Sequence, residues 1–267
     1  MLTTRVIPCL LLQGRALVKT VRFRAREYVG DPINTVRIFN ELQVDELVLL
    51  DIDATREGRG PDWDLLREVA DECFMPVAYG GGISSVEEVE RVLRIGFEKV
   101  VLNTMAWRRP ELVRGAAALV GSQSVVGSVD VRRSIFGRYR AHVAGGTEVV
   151  SKPALAWIEE LVSWGAGEIL LTSMDRDGTW SGYDLDFVRE VVARVPVPVV
   201  ASGGAGSVDD LVSLVRETGV SGAGVGSMVV FQKRGMGVLV NFPDRGSLDA
   251  RLEDAVAGFN QRSARPR

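Results

Sequence analysis

Short apolar runs rich in β-branched residues recur along the chain, and each precedes an amphipathic stretch with helical spacing. Such continuous apolar runs are typical of parallel strands buried on both faces. Helix start signals fall between them: Asp31-Pro32 places an N-cap before proline, and Ser85 and Ser207 precede acidic first turns. The predicted strands cover residues 6–12, 46–52, 76–79, 99–102, 125–129, 168–172, 198–201 and 222–226.

Eight strand–helix pairs within 267 residues predict an α/β fold, a closed (β/α)8 TIM barrel that forms one domain over residues 1–267. Hydrophobic residues make up 46% of the chain, enough for one large core. No linker or low-complexity segment interrupts the alternation, and we expect the tail at 261–267 to be frayed.

The chain also repeats itself with an offset of 122 residues. Residues 46–51 resemble 168–173, residues 76–82 resemble 198–204, and Ser85-Val-Glu resembles Ser207-Val-Asp. Solenoid proteins have much shorter repeats, so this period does not indicate a solenoid. It predicts a barrel built from two similar half-barrels.

Charge and cysteine content narrow the class of protein. The net charge is −3 with no basic tract, so no nucleic-acid or anionic-membrane partner is expected. No apolar run approaches a membrane span or a signal peptide. We expect Cys9 and Cys73 to be reduced core thiols of a cytoplasmic protein. No residue spacing resembles a metal site, and no cofactor is predicted.

Two glycine-rich loops follow predicted strands, at 80–82 and 203–206, and each precedes a helix start. Glycine lets the backbone approach a ligand, and helix N-terminal amides attract phosphate. Asn103-Thr104 and Gly226-Ser227 add donors beside these loops. Glycine could instead serve only tight turns. Two loops related by the repeat favour a small molecule phosphorylated at both ends.

Asp130 closes the fifth predicted strand, where its carboxylate could act as a general acid or base or could simply cap a loop. The lone histidine, His142, falls in a polar stretch after that strand. We expect it in a flexible surface loop and assign it no catalytic role. Other acidic residues at strand ends are Asp51, Asp53, Asp175 and Asp177.

Four charged residues mark the opposite ends of the predicted strands. Arg5, Glu46, Lys99 and Glu168 lie at or near the starts of strands one, two, four and six. Ordinary surface salt bridges would explain them and would add little stability. Their alternation around a barrel predicts instead that the four side chains meet near its axis.

From its first residues to about Phe231, the chain resembles the cyclase subunit of imidazole glycerol phosphate synthase. The segment 165–179, Gly-Ala-Gly-Glu-Ile-Leu-Leu-Thr-Ser-Met-Asp-Arg-Asp-Gly-Thr, is the most specific. The other segments that carry the resemblance are 5–10, 45–51, 80–83, 103–104, 182–184 and 201–206.

The resemblance implies a glutaminase partner on the N-terminal face of the barrel. Ammonia from glutamine would pass a charged gate, travel through the barrel and react at the C-terminal face. It assigns the gate to Arg5, Glu46, Lys99 and Glu168. It assigns one phosphate site to Gly82, Asn103 and Thr104, and the region of the other to Asp177, Gly178, Gly204 and Ser227. Lys19, also a phosphate-binding candidate, matches a lysine in the mobile first loop, and Asp130 matches a catalytic aspartate.

The chain departs from that family at the end of strand one. The family has Cys-Leu-Asp-Val there, whereas this chain has Cys9-Leu-Leu-Leu, so Leu11 replaces a second catalytic aspartate. Leucine transfers no proton, and losing an acid–base group costs about 100- to 10,000-fold in rate. With segments 19–23, 51–55, 231–232 and 238–243, this departure resembles the cyclase-like proteins of bacterial surface-polysaccharide clusters, which are thought to supply ammonia to a sugar amidotransferase.

Three functions therefore stay open. The first is an ammonia conduit that has lost cyclisation. The second is a working cyclase of histidine biosynthesis in which Asp130 or another carboxylate covers for Leu11. The third is a scaffold that moves no ammonia.

Overall fold

The computed structural model describes residues 4–263. Its strands are β1 (Arg5–Gln13), β2 (Ala16–Thr20), β3 (Arg26–Gly30), β4 (Leu47–Asp51), β5 (Val77–Gly80), β6 (Lys99–Leu102), β7 (Val125–Arg133), β8 (Tyr139–Val143), β9 (Glu148–Pro153), β10 (Glu168–Ser173), β11 (Val199–Ser202) and β12 (Gly222–Val225). Its α-helices are α1 (Pro32–Glu41), α2 (Trp63–Glu72), α3 (Val86–Ile95), α4 (Thr104–Arg108), α5 (Pro110–Val120), α6 (Ala154–Ser163), α7 (Leu185–Val192), α8 (Val208–Thr218), α9 (Ser227–Val230) and α10 (Arg245–Ser263).

Eight of these strands form a closed parallel barrel, in the order β1, β4, β5, β6, β7, β10, β11 and β12, with β12 pairing back to β1. This confirms the predicted (β/α)8 fold. The predicted helix starts are also confirmed: the side chains of Asp31, Ser85 and Ser207 each accept a hydrogen bond from a first-turn amide. Residues 261–263 form the last residues of α10, and the rest of the tail predicted to fray lies outside the described residues.

Hairpins extend strands one and five of the barrel. The pair β2–β3 folds back on β1, and β8–β9 folds back on β7. The prediction for His142 is wrong, because it lies in β8 and is only 8% exposed. Strand five runs on to Arg133 and pairs with β8, so the polar stretch after it forms a sheet and not a loop.

Two apolar layers make up the core. The larger lies between the strands and the helices, where Trp157 packs edge-on against Trp107 and Trp164 at 5.2 and 5.4 Å. Burial raises the pKa of both thiols to about 12, although Cys73 is only partly buried whereas Cys9 is part of the core. The smaller layer fills the barrel interior and consists of Ile7, Cys9, Val48, Ala78, Val101, Val126, Leu170 and Val200.

No helix within residues 4–263 combines the length and the apolar character needed to cross a membrane.

Candidate functional site

A cavity of about 1430 Å³, counting its open mouth, lies at the C-terminal ends of the barrel strands. This end of a (β/α)8 barrel carries the active site in characterised enzymes of the fold. The structure brings all the predicted ligand-side residues to the cavity wall. They are Leu11, Lys19, Gly82, Asn103, Thr104, Asp130, Asp177, Gly178, Gly204 and Ser227.

Both glycine loops need glycine for close backbone packing. Gly204 has φ +109°, and a Cβ there would lie 2.0 Å from the carbonyl oxygen of Gly182. Gly82 has φ +73°, and a Cβ there would lie 2.7 Å from the carbonyl oxygen of Arg59. The tight-turn explanation and the ligand explanation are therefore compatible, since each loop is pressed against a neighbouring loop at the cavity wall.

On the first loop's side, the Gly82 amide donates to the Thr55 hydroxyl at 3.3 Å. The Thr104 hydroxyl accepts from the Ala144 amide at 2.9 Å and lies 3.3 Å from the Asn103 side-chain oxygen. Small hydroxyl and amide groups thus line this part of the cavity, and the Gly82 N–H and the Thr104 O–H both donate to neighbouring protein oxygens.

The opposite side of the cavity holds a buried ion pair. The Lys19 ammonium lies 2.5 Å from one Asp177 carboxylate oxygen, and the Thr20 hydroxyl donates to the other at 2.6 Å. The Arg22 amide donates to the Asp177 carbonyl at 2.8 Å. Lys19, which the resemblance assigns to a mobile loop, lies in strand β2 and is 8% exposed. The β2–β3 hairpin is therefore fastened to the loop after β10.

Sequence reasoning missed two arginines at the cavity wall. Arg26 and Arg56 both form ion pairs with the buried Asp53 carboxylate. Arg26 donates one hydrogen bond to each carboxylate oxygen, at 2.5 and 2.8 Å. These ion pairs hold the pKa of Asp53 below its usual value, chiefly through the hydrogen bond from Arg26. Because Arg26 belongs to a hairpin that periodicity does not predict, no sequence signal placed it beside Asp53.

Asp130 is the candidate acid–base group of the cavity. Burial raises the pKa of its carboxyl to about 7, the negative charge of Asp177 adds to the rise, and the hydrogen bond from Asn103 at 3.2 Å opposes it. A carboxyl with this pKa can donate or accept a proton near neutral pH. Leu11 pairs in register with Leu50 of β4 and Val18 of β2, and it gives the cavity an apolar patch with Leu50.

The raised pKa makes stability depend on pH. Folded protein binds the Asp130 proton more tightly than unfolded chain, so the free energy of unfolding falls as pH rises from about 4 to about 7. We expect Asp130→Asn to be more stable than wild type by about 2–4 kcal/mol at pH 8, and by almost nothing at pH 4. Urea unfolding at both pH values measures this. The exposed Asp186→Asn is the control, and a pH-independent effect of Asp130→Asn would contradict the assignment.

Arg5, Glu46, Lys99 and Glu168 form a closed ring of ion pairs at the N-terminal end, called the charged ring below. The Arg5 guanidinium bonds Glu46 at 2.5 Å and also Glu168, and the Lys99 ammonium lies 2.7 Å from each of the same two carboxylates. Burial alone would raise the pKa of Glu168, but Arg5 and Lys99 bring it below its usual value. Both glutamates are only 5% exposed, so the ring is not an ordinary surface network.

The ring, the inner apolar layer and the cavity follow one another along the strands. Side chains two apart in a strand point to the same face, so each barrel strand contributes to successive levels of the interior. In β1 the levels are Arg5, Ile7 with Cys9, and Leu11. Three other strands show the same order of ring, inner layer and cavity. Their residues are Glu46, Val48 and Leu50; Lys99, Val101 and Asn103; and Glu168, Leu170 and Thr172.

Within residues 4–263, no group of three or more His, Cys, Asp and Glu side chains is arranged to hold a metal ion.

Comparison with known proteins identifies relatives over most of the chain. The family model described as "Histidine biosynthesis protein" matches residues 5–234. A Pseudomonas aeruginosa protein named "Putative imidazole glycerol phosphate synthase subunit hisF2" is 49% identical over 93% of this chain and 99% of its own length. A Vibrio vulnificus protein similarly named as subunit hisF3 is 44% identical over 95% and 98%. Imidazole glycerol phosphate synthase subunit HisF of Streptococcus mutans is 43% identical over 84% and 89%.

Proposed function

This chain belongs to the histidine biosynthesis protein family, and on that premise we propose that it is the barrel subunit of a glutamine amidotransferase complex. A partner glutaminase docks on the N-terminal face and releases ammonia there. The ammonia crosses the barrel interior and leaves through the cavity at the C-terminal end. Its acceptor is a sugar of a surface polysaccharide, bound by a sugar amidotransferase.

The observation that carries the proposal is a charged ring and an inner apolar layer below a cavity in which Leu11 stands in place of the strand-one aspartate. The charged ring and the inner apolar layer lie in line with the cavity. Neutral ammonia can enter an apolar layer, whereas ammonium would have to shed its hydration at a large free-energy cost. The ring therefore separates ammonium in bulk water from ammonia inside the barrel.

Leu11 is the reason to separate delivery from cyclisation. A cavity with Asp130 as its acid–base group and leucine at the second position lacks half of the proton-transfer pair that the resemblance assigns. The glycine loops remain, and we propose that they still hold a phosphorylated small molecule. Delivery of ammonia does not need both aspartates.

A working cyclase is the second candidate, and the pKa of Asp130 near 7 favours it, because one carboxyl of this kind can serve as both acid and base. A scaffold that moves no ammonia is less well supported, because a scaffold has no use for a buried charged ring across the barrel axis.

A glutaminase on the N-terminal face has an apolar anchor available to it. Phe74 lies in the loop that leads from α2 into β5, and its side chain is 88% exposed. Its backbone amide donates to the Asn40 side chain at 3.1 Å, which fixes the loop. Exposed aromatic side chains on fixed loops are common anchors of protein interfaces.

The charged ring provides the test of the proposal. Lys99→Ala leaves Arg5 as the one ring cation paired with Glu46 and Glu168. Glu46→Ala removes one carboxylate partner from Arg5 and one from Lys99. With glutaminase and sugar amidotransferase present, we expect both variants to form severalfold less amidated sugar per glutamine hydrolysed. Saturating ammonium should restore product, because it bypasses the barrel.

Lys152→Ala is the matched control, since Lys152 forms an exposed ion pair with Glu160 on the outside of the barrel. Thermal melts establish that all variants fold. Wild-type coupling in both ring variants would rule out the gate, and with it the conduit.

A further inference from the structure

The turn between β7 and β8 holds two large apolar side chains out in solvent. Ile135 is 94% exposed and Phe136 is 85% exposed. The turn lies beyond Asp130 on the same strand, on the C-terminal side of the barrel. Large apolar side chains exposed next to each other are typical of surfaces that bind another molecule.

This turn is closed by its own hydrogen bonds. The Ser134 amide donates to the Arg138 carbonyl at 2.8 Å, and the Gly137 amide donates to the Ser134 carbonyl at 2.9 Å. The base of the hairpin is fixed to α7, where Tyr139 stacks on Phe187 at 4.1 Å and donates to the Asp184 carboxylate at 2.9 Å. Ile135 and Phe136 therefore extend from a turn whose backbone and base are held by these contacts, and such pre-organisation reduces the entropy lost on binding.

The surface around this turn is strongly basic, although the chain has a net charge of −3. No acidic residue occurs within residues 131–143. Asp175 lies between this hairpin and the β2–β3 turn: its carboxylate accepts from the Arg133 amide at 2.9 Å, and its carbonyl accepts from the Arg22 side chain at 3.1 Å. The arginines of the two turns and of the adjoining strand ends are Arg22, Arg24, Arg132, Arg133, Arg138 and Arg140.

We propose that the β7–β8 turn is the docking element for the ammonia-accepting enzyme, a protein with an apolar pocket rimmed by aspartate and glutamate. The inference rests on the proposed function and adds the surface on which the acceptor sits. A small anionic substrate would account for the arginines but would leave Ile135 and Phe136 in water. A protein partner accounts for both, because apolar anchors within a charged rim are typical of specific interfaces.

The position of the turn fits this partner. Ammonia that escapes into neutral water becomes ammonium and loses its nucleophilic lone pair. An acceptor enzyme must therefore cover the mouth of the cavity. Strand β7 carries Asp130 at the cavity wall and the docking turn a few residues further on, so an enzyme held by the turn lies over the exit.

The test uses the purified chain, the glutaminase and the sugar amidotransferase that the proposed function requires. Ile135→Ser combined with Phe136→Ser should weaken binding of the amidotransferase by about tenfold or more, as expected for loss of an aromatic anchor. Arg138→Glu combined with Arg140→Glu should also weaken binding and should reduce its dependence on salt. Glutaminase binding should not change, because that partner docks at the other end.

Leu119→Ser is the matched control, since Leu119 lies on α5 and is 52% exposed. Product per glutamine in the wild-type complex tests the proposed function separately from these binding measurements. The docking inference is overturned if the amidotransferase binds wild type and the double serine variant equally, or does not bind wild type at all. It is also overturned if the double serine variant instead abolishes self-association of this chain.

Discussion

Replacing Leu11 with aspartate should raise turnover of the cyclase family's bisphosphorylated ribulosyl-formimino substrate by about 100- to 10,000-fold over the native chain, the usual contribution of one acid–base group. The new carboxylate would face the cavity that already holds Asp130 and both glycine loops. Because Leu50 and Val18 flank position 11, the new carboxyl would have apolar neighbours, which raise the pKa of a carboxyl. Excess ammonium replaces the glutaminase, and substrate loss is followed by absorbance.

Leu11→Asn is the matched control, because asparagine has nearly the same shape and polarity but transfers no proton. A similar gain in both variants would show that shape, and not proton transfer, limits the native chain. Normal enzymatic turnover by the native chain would favour the working cyclase over the conduit. No turnover by any of the three proteins would show that this cavity differs from a cyclase at more positions than 11.

Gly204→Ala should lower the free energy of unfolding by about 3 kcal/mol, a large loss for a single added methyl group. At φ +109° the new Cβ would be strained, and it would collide with the Gly182 carbonyl oxygen 2.0 Å away. That oxygen belongs to backbone and cannot rotate aside. The Gly182 amide also donates to the Gly204 carbonyl at 2.9 Å, so separating the loops would break this bond.

Gly258→Ala is the control for this prediction. Gly258 lies inside α10, and a Cβ there would meet nothing within 4 Å. Alanine in a helix interior is favoured over glycine by about 0.5–1 kcal/mol, so this variant should be slightly more stable than wild type. Urea unfolding compares the two. Equal stability of Gly204→Ala and wild type would mean that the loop yields more easily than its packing indicates.

The barrel could be predicted from sequence because its signals are local. Apolar runs and N-caps such as Asp31 and Ser207 each depend on a few neighbouring residues. The charged ring could be anticipated because a closed barrel turns four strand starts toward one axis, and the structure places Arg5 and Lys99 between the two glutamates. Its role as a gate stays a prediction.

Features that depend on partners far apart in sequence could not be predicted. His142 is buried because β8 pairs with an extended β7, and a polar stretch carries no periodic signal for such a hairpin. Arg26 reaches Asp53 only because β3 folds back on β2. The pKa of Asp130 likewise depends on burial and on Asp177, which is distant along the chain.

The loop between β10 and α7 joins the two hairpins that border the cavity. Asp177 binds Lys19 and Thr20 of the β2–β3 hairpin, and Asp175 binds the β2–β3 turn as well as Arg133 of the β7–β8 hairpin. Opening one hairpin would break contacts to the loop that also holds the other, so we expect the two hairpins to open together. Thermodynamic linkage then requires reciprocity. If a protein at the β7–β8 turn and a ligand in the cavity both need the closed hairpins, we expect each to strengthen binding of the other by the same factor.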